Sequence, residues 1–281
     1  MEYMITNDLM EMFECRMYQE EKASLTIEKY MRDIRCFYQY LGEGKQFNRE
    51  TVLKYKQHLT EHYQPSSVNS MLAALNHFFE FADFGACKVQ QLKIQKSFFC
   101  KQATYMTKQD YLKLVKTAEN KKDYQLSLIM QTICSTGIRV SELKFITAEA
   151  VKSGCVMVNN KGKSRIVYLP DALKTLLKAY IHQLGITYGA IFLNRKGQPV
   201  SRGSVWKKMK NLCEAAGVEE AKVFPHNLRH LFAVTFYNIK KDLLYLAEIL
   251  GHTSIETTRI YTRTPGESHE KLISQLGLVY G

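Results

Sequence analysis

The chain has 281 residues, 46% of them hydrophobic, enough to bury one large or two moderate cores. Thirty-nine Lys+Arg against 27 Asp+Glu give a formal charge of +12, and all of it follows residue 104: residues 1–104 hold 13 basic and 13 acidic residues, 105–281 hold 26 and 14. That asymmetry suits a polyanionic partner, with a lysine-rich solvated surface as the plainer alternative, whereas seven scattered cysteines without a CxxC argue against a disulfide framework or a cysteine zinc site.

Met1 to Met12 is acidic and broken by polar residues, so no signal peptide is expected. No apolar run reaches transmembrane length, and a cytoplasmic protein is the expectation. Apolar residues recur every three or four positions in Ser24–Leu41. Asn48 is placed to cap a helix running to about Glu61, and Pro65 opens another that buries Val68, Leu72, Leu75, Phe78 and Phe79. With Asp8–Glu20 these predict a four-helix bundle. Its second helix displays Lys29, Arg32 and Arg35, either an ordinary solvated face or a phosphate-facing stripe. The period is lost from Phe84 to Thr104, so the expected division is a helical unit over 1–96, a linker over 97–104 and a second domain over 105–281.

The second domain reads as mixed. Thr107 to Asp110 is a capping signal. Helices are predicted at 108–119, 123–135, 139–146, 171–184, 202–215, 226–238 and 242–250. Cys155–Asn159 and Arg165–Leu169 flank a tight basic turn and predict a hairpin, and Ala190–Asn194 predicts a further short strand. The expected class is mainly α with a small hairpin, built as a helical bundle followed by an α+β domain.

Four stretches hold the candidate chemistry. In CSTGIRVSELKF, Arg139 follows a Gly turn and Glu142 lies one turn on, able to orient its guanidinium or simply to form a surface pair. In VNNKGKSRIVYLP, Lys161 and Lys163 sit at a hairpin tip, projecting a cation or merely keeping a strand edge soluble. In PHNLRHLFAV, His226, Arg229 and His230 share one face near a helix N-terminus, a good place for an anion. A zinc site built from His226, His230 and His252 is the rival reading. For His230 the expected role is a buried histidine bonded to backbone. In LGHTSIETTRIYTR, Gly251 ends a helix, Thr253 to Glu256 reads as a capping box, and Tyr261 follows, as a reactive phenol or as core packing against Ile255 and Ile260. Two arginines, a lysine, two histidines and a tyrosine, with no acidic cluster for Mg²⁺, form a kit for attack on a phosphodiester.

In order and spacing, these stretches resemble the tyrosine recombinase (phage integrase) family, in a compact Xer-like form. TGIRVSEL supplies Arg139, NKGKSR Lys161, HNLRH His226 and Arg229, LGH His252, and TTRIY Tyr261. The resemblance implies an N-terminal core-binding (SAM-like) domain and a C-terminal catalytic domain that close around duplex DNA. Tyr261 would attack the scissile phosphate, Arg139, Arg229 and His252 would stabilise the transition state, His226 would assist proton transfer, and Lys161 would protonate the leaving oxygen, with Lys163 second in line. Glu142 and His230 would support them. Lys29, Arg32, Arg35, Lys163 and Arg165 would contact DNA. The resemblance implies no cofactor and no metal, a homotetramer on paired sites or a tetramer shared with a second recombinase, and residence at the nucleoid. Asn227 and Val234 depart from the family pattern, and SHEKLISQL (268–276) is expected to form a short terminal helix. A topoisomerase-like nicking and resealing enzyme, or a DNA-binding protein that keeps the fold without the chemistry, are the other readings.

Overall fold

The computed structural model describes residues 2–94, 105–160, 163–252 and 254–262. The expected terminal helix, the capping role of Thr253 and the tip residue Lys161 lie outside them. The chain divides into two compact units, Met1–Lys96 and Ser97–Gly281.

The first unit holds helices α1 (Asn7–Gln19), α2 (Ser24–Tyr40), α3 (Arg49–His62) and α4 (Pro65–Phe81). Their starts follow local chemistry. The Thr6 side chain accepts from Leu9 N, Asn48 and Thr51 form a reciprocal capping box, and Pro65 occupies the first turn of α4 where its missing N–H costs nothing. The apolar stripes meet in one core that includes Phe13, Ile34, Phe37, Leu72, Phe78 and Phe79; each such side chain contributes about 1.5–3 kcal/mol of burial. Two features are not anticipated by the sequence pattern. Strand β1 (Tyr3–Met4) pairs antiparallel with β2 (Gln46–Phe47), Tyr3 opposite Phe47. The stretch after Phe84 is also no free connector as far as Ile94. Asn76 bonds both backbone groups of Val89 (2.8 and 3.0 Å), and Asn69 does the same for Leu92 (2.9 and 2.7 Å). Side-chain amides from α4 replace a strand partner there, which no periodicity reveals.

In the second unit, α5 (Lys108–Asn120) starts at the Thr107–Asp110 capping box, and α6 (Tyr124–Thr136) ends at left-handed Gly137. A 3₁₀ segment, Val140–Phe145, replaces the α-helix expected over 139–146, and α7 (Ala148–Ser153) is an addition to the expected elements. Strands β3 (Cys155–Asn160) and β4 (Lys163–Tyr168) pair antiparallel from Cys155–Tyr168 to Asn160–Lys163. Then come α8 (Asp171–Leu184), α9 (Arg202–Lys210), α10 (Cys213–Ala216), α11 (Pro225–Lys240), α12 (Leu243–Leu250), α13 (Ile255–Thr258) and a 3₁₀ turn over Arg259–Thr262. The single helix expected over 202–215 is broken at Asn211–Leu212. The strand expected at 190–194 reduces to isolated bridges, Ala190 to Thr147 and Leu193 to Pro199. The main core gathers Leu114, Ile129, Ile133, Val158, Leu177 and Leu228, and a smaller cluster joins Ala233, Leu246, Leu250 and Tyr261. Among the described residues the architecture is mainly α with two small two-stranded sheets.

Candidate active site

The site grows from two glycine-terminated helices. Gly137 ends α6 at φ +68°, and the chain leaves it extended at Arg139. The Glu142 carboxylate reaches back one turn to accept from Arg139 N (2.8 Å) and from Arg139 Nη1 (2.9 Å). Glu142 is only 2% exposed. Arg165 also donates to it, from Nη1 (3.1 Å) and Nη2 (2.7 Å). Burial alone would raise the Glu142 carboxyl, but the hydrogen bonds and charge of the two arginines outweigh it and hold the group at about 2. Glu142 is therefore an ion at neutral pH, and it fixes the stem of Arg139, whose side chain remains 33% exposed.

Gly251 ends α12 at φ +62°, with Gly251 N bonded to Glu248 O (2.9 Å) and His252 N to Ala247 O (3.0 Å). This pair of bonds is the left-handed helix stop that favours glycine, and it turns His252 out of the helix line. Arg229, on α11, is 2% exposed. Its Nη1 donates to Gly137 O (2.7 Å), and its Nη2 donates to Leu250 O (2.7 Å) and to His252 Nε2 (2.9 Å). One guanidinium thus ties together both glycine stops. Because a guanidinium has no acceptor, His252 Nε2 must accept, so Nδ1 carries the ring proton and donates to the buried Thr258 Oγ1 (2.8 Å). Burial, then the charges of Arg229 and Arg139, lowers His252 to about 4. Burial and the Arg139 charge lower Arg229 to about 10, leaving it charged at pH 7. Both His252 nitrogens are occupied, so the zinc reading loses its third ligand. Among the described residues no cluster of three His, Cys, Asp or Glu is arranged to hold a metal ion.

Tyr261 is 4% exposed, packed with Ala233, Leu246 and Leu250. Core packing therefore describes its position, though against partners other than Ile255, which lies exposed. The seat adjoins the polar site: its ring centroid lies 6.1 Å from that of His252 and 5.1 Å from that of His230. His230 is buried as expected, its Nε2 has no hydrogen-bond partner among the described residues, and Tyr105 stacks on the ring at 4.0 Å. Desolvation, with His226 nearby, puts His230 at about 4. His226 stands at the exposed rim, where crowding by protein atoms and then the charges of Arg229, Arg139 and Arg202 push its pKa down. Ser254 caps α13, its side chain accepting from Glu256 N. Asn227 is buried and donates to Lys222 O (2.8 Å).

The structure thus brings Arg139, Glu142, His226, Arg229, His230, His252 and Tyr261 together. Sequence reasoning missed Thr258, which fixes the His252 tautomer, and Arg202, which faces His226 electrostatically; nothing in their spacing marked either. It placed Arg165 among the DNA contacts. Arg165 is 11% exposed, with its fork on Glu142 and its Nε on Ile249 O (3.1 Å). In the first unit, Lys29 is engaged by Asp33 (2.6 Å) and Ser70 O (3.3 Å), Arg32 touches Asp33 (3.3 Å) from an exposed position, and Arg35 is exposed. A cleft of about 540 Å³ opens beside Lys29, Arg32, Ser66, Ser67 and Ser70.

A helical bundle joined to a mainly α unit that gathers arginines, histidines and a tyrosine at one site defines a class of two-domain proteins. The phage integrase family model matches residues 104–267, and the phage integrase N-terminal SAM-like domain model matches residues 13–83. The chain belongs to the phage integrase family, the tyrosine recombinases. It is 29% identical to tyrosine recombinase XerD of Staphylococcus aureus over 92% of this chain and 95% of that one. It is 30% identical to tyrosine recombinase XerC of Thermodesulfovibrio yellowstonii over 87% of each. Its fold is similar to that of a lambda integrase tetramer bound to a Holliday junction, with TM-score 0.71 and 19% identity over 90% of this chain and 76% of that one.

Proposed function

We propose that this protein cuts and rejoins duplex DNA at specific sites through a covalent 3′-phosphotyrosyl intermediate, without metal or ATP. The observation that carries the reading is the single seat shared by Arg229, His252 and Tyr261, with Arg139 held beside it by Glu142. The Tyr261 Oη forms a bond to phosphorus as the P–O5′ bond breaks. A free phenol titrates near 10, so its proton needs an acceptor at neutral pH. His226 serves, because its lowered pKa keeps it neutral and it stands at the rim. Arg139 and Arg229 neutralise the non-bridging oxygens, and Arg229 keeps two of its five N–H groups uncommitted for them. Lys161, or Lys163 two positions on, delivers the proton to O5′. The bond energy is kept in the phosphotyrosyl link, and attack by a partner's 5′-hydroxyl reverses the step.

The buried ring must leave its apolar seat for in-line attack, so the 3₁₀ turn that carries it shifts when DNA binds. Lys29, Arg32 and Arg35 on α2 serve the backbone of the same duplex, and four copies act on paired sites. The test is a nicked duplex that lets the cut fragment diffuse away. A protein–DNA adduct linked through a 3′-phosphate is expected from the wild type and absent from Tyr261→Phe. An adduct of equal yield from Tyr261→Phe would remove the nucleophile assignment.

A further inference from the structure

The inward face of the β3–β4 hairpin carries Val156, Val158 and Val167, and opposite Val158 it carries Arg165. A charged side chain at a core-facing register position is costly unless it is paired, and this one is paired three times. Nη1 and Nη2 grip the two oxygens of Glu142, and Nε bonds Ile249 O. Three elements that bear site residues therefore meet at one guanidinium: the hairpin that leads to Lys161, the 3₁₀ segment that starts at Arg139, and the end of α12 that leads to His252. Gly251 adds to this, since a Cβ there would come within 2.8 Å of Arg165 Cδ.

We propose that Arg165 is a positioning residue of the cleavage reaction: it holds the Glu142 carboxylate so that Glu142 can aim Arg139 at the scissile phosphate. The inference rests on the function proposed above. A carboxylate this deeply buried needs its charge partners, and Arg165 grips both of its oxygens. Remove that grip and Glu142 takes up a proton or turns away; in either case the Arg139 guanidinium loses its fixed hold. Lysine cannot substitute, because one ammonium cannot span both oxygens and the Ile249 carbonyl. A misplacement of this kind typically slows reaction about a hundredfold.

The test uses the full chain and a nicked duplex selected from a random-sequence library for retention by Tyr261→Phe. Adduct formation is timed for wild type, Arg165→Lys, Arg139→Ala and the double variant, on three scissile linkages. An ordinary phosphate needs every group. A methylphosphonate lacks one anionic oxygen and relaxes the demand on Arg139. A 5′-bridging thiolate leaves without a proton and relaxes the demand on Lys161. Arg165→Lys is expected to bind the duplex like wild type, to cut the phosphate about a hundredfold more slowly, and to recover on the methylphosphonate as Arg139→Ala does. The double variant should be no slower than Arg139→Ala alone. Wild-type cleavage by Arg165→Lys overturns the inference. So does recovery on the thiolate instead, which would place the effect on the hairpin lysine, or full additivity in the double variant. If Arg165→Lys does not fold by circular dichroism, the isosteric Glu142→Gln supplies the same comparison, with the same recovery expected. An inert wild type would defeat the proposed function and this inference together; an active wild type matched by active variants defeats this inference alone.

Discussion

Arg139 and Arg229 bring the same charge to the site from different depths, and the difference separates chemistry from stability. The Arg139 side chain is 33% exposed and paired to Glu142. Its truncation leaves no orphaned carbonyl, so Arg139→Ala should keep its unfolding free energy to within about 1 kcal/mol while losing roughly 10²–10³ in cleavage rate. Arg229 closes two buried carbonyls and a histidine. Arg229→Ala strands those acceptors at about 1–3 kcal/mol each and should lower the urea midpoint markedly as well as stop cleavage. Equal midpoints for the two variants would contradict the depth argument. The protonation states set a pH dependence of the same origin. His252 and His230 are lowered from the ordinary 6.5 to about 4, so between those values the unfolded chain binds more protons and stability falls as pH falls. Glu142, lowered from 4.5 to about 2, extends the loss further into acid. Urea titrations stepped from neutral to pH about 4 should show each histidine contributing a loss of up to about 3 kcal/mol, and His252→Gln should flatten the slope. A midpoint constant across that range would mean these rings are not held neutral.

At the scale of elements, the sequence made plain what local chemistry decides. Thr107 with Asp110, Asn48, Pro65 and the left-handed glycines placed their helix ends within a residue or two, because caps and stops need only neighbours in the chain. The failures lie where a distant partner decides. Val140–Phe145 winds as 3₁₀ while Glu142 is held back on Arg139 and by Arg165 from another element. Residues 84–94 are fixed by α4 side chains, and the Arg165–Glu142 pair went unseen because its members lie 23 positions apart. The site was legible as a set of residue types, but the burial of Tyr261 was not, since spacing alone cannot choose between a presented and a packed ring. Gly137 tests how tightly the elements constrain one another. It sits at positive φ, and a Cβ there would clash with Phe232 Cδ1 and meet Leu250 Cδ2 at 3.1 Å. Gly137→Ala therefore combines a left-handed penalty with overpacking between α6, α11 and α12, and should cost about 2–4 kcal/mol. A thermal midpoint unchanged from wild type would show that Phe232 swings aside freely and that the α6 stop is not a fixed frame for Arg229.

Over the whole molecule, charge and chemistry are distributed unequally. The first 104 residues are formally neutral and the rest carry the entire +12. A neutral bundle has little long-range pull on a polyanion, and Lys29 spends part of its charge on Asp33. Electrostatic attraction to a duplex must then come mainly from the second unit, with the α2 cations adding short-range contacts. Each phosphate neutralised releases condensed counterions, so affinity should fall steeply with salt, by about a thousandfold or more between roughly 50 and 200 mM monovalent salt if six or more phosphates are engaged. The two units can be told apart by the slope. Neutralising Arg32 and Arg35 together should lower the log–log salt slope by about two if both meet phosphates, and leave it unchanged if they form only a solvated face. Fluorescence anisotropy on the selected duplex, run across that salt range with the Tyr261→Phe protein to prevent cutting, measures both quantities. A shallow slope for the full chain would mean that the positive charge of residues 105–281 faces away from the DNA, and the polyanion reading of the composition would fail with it.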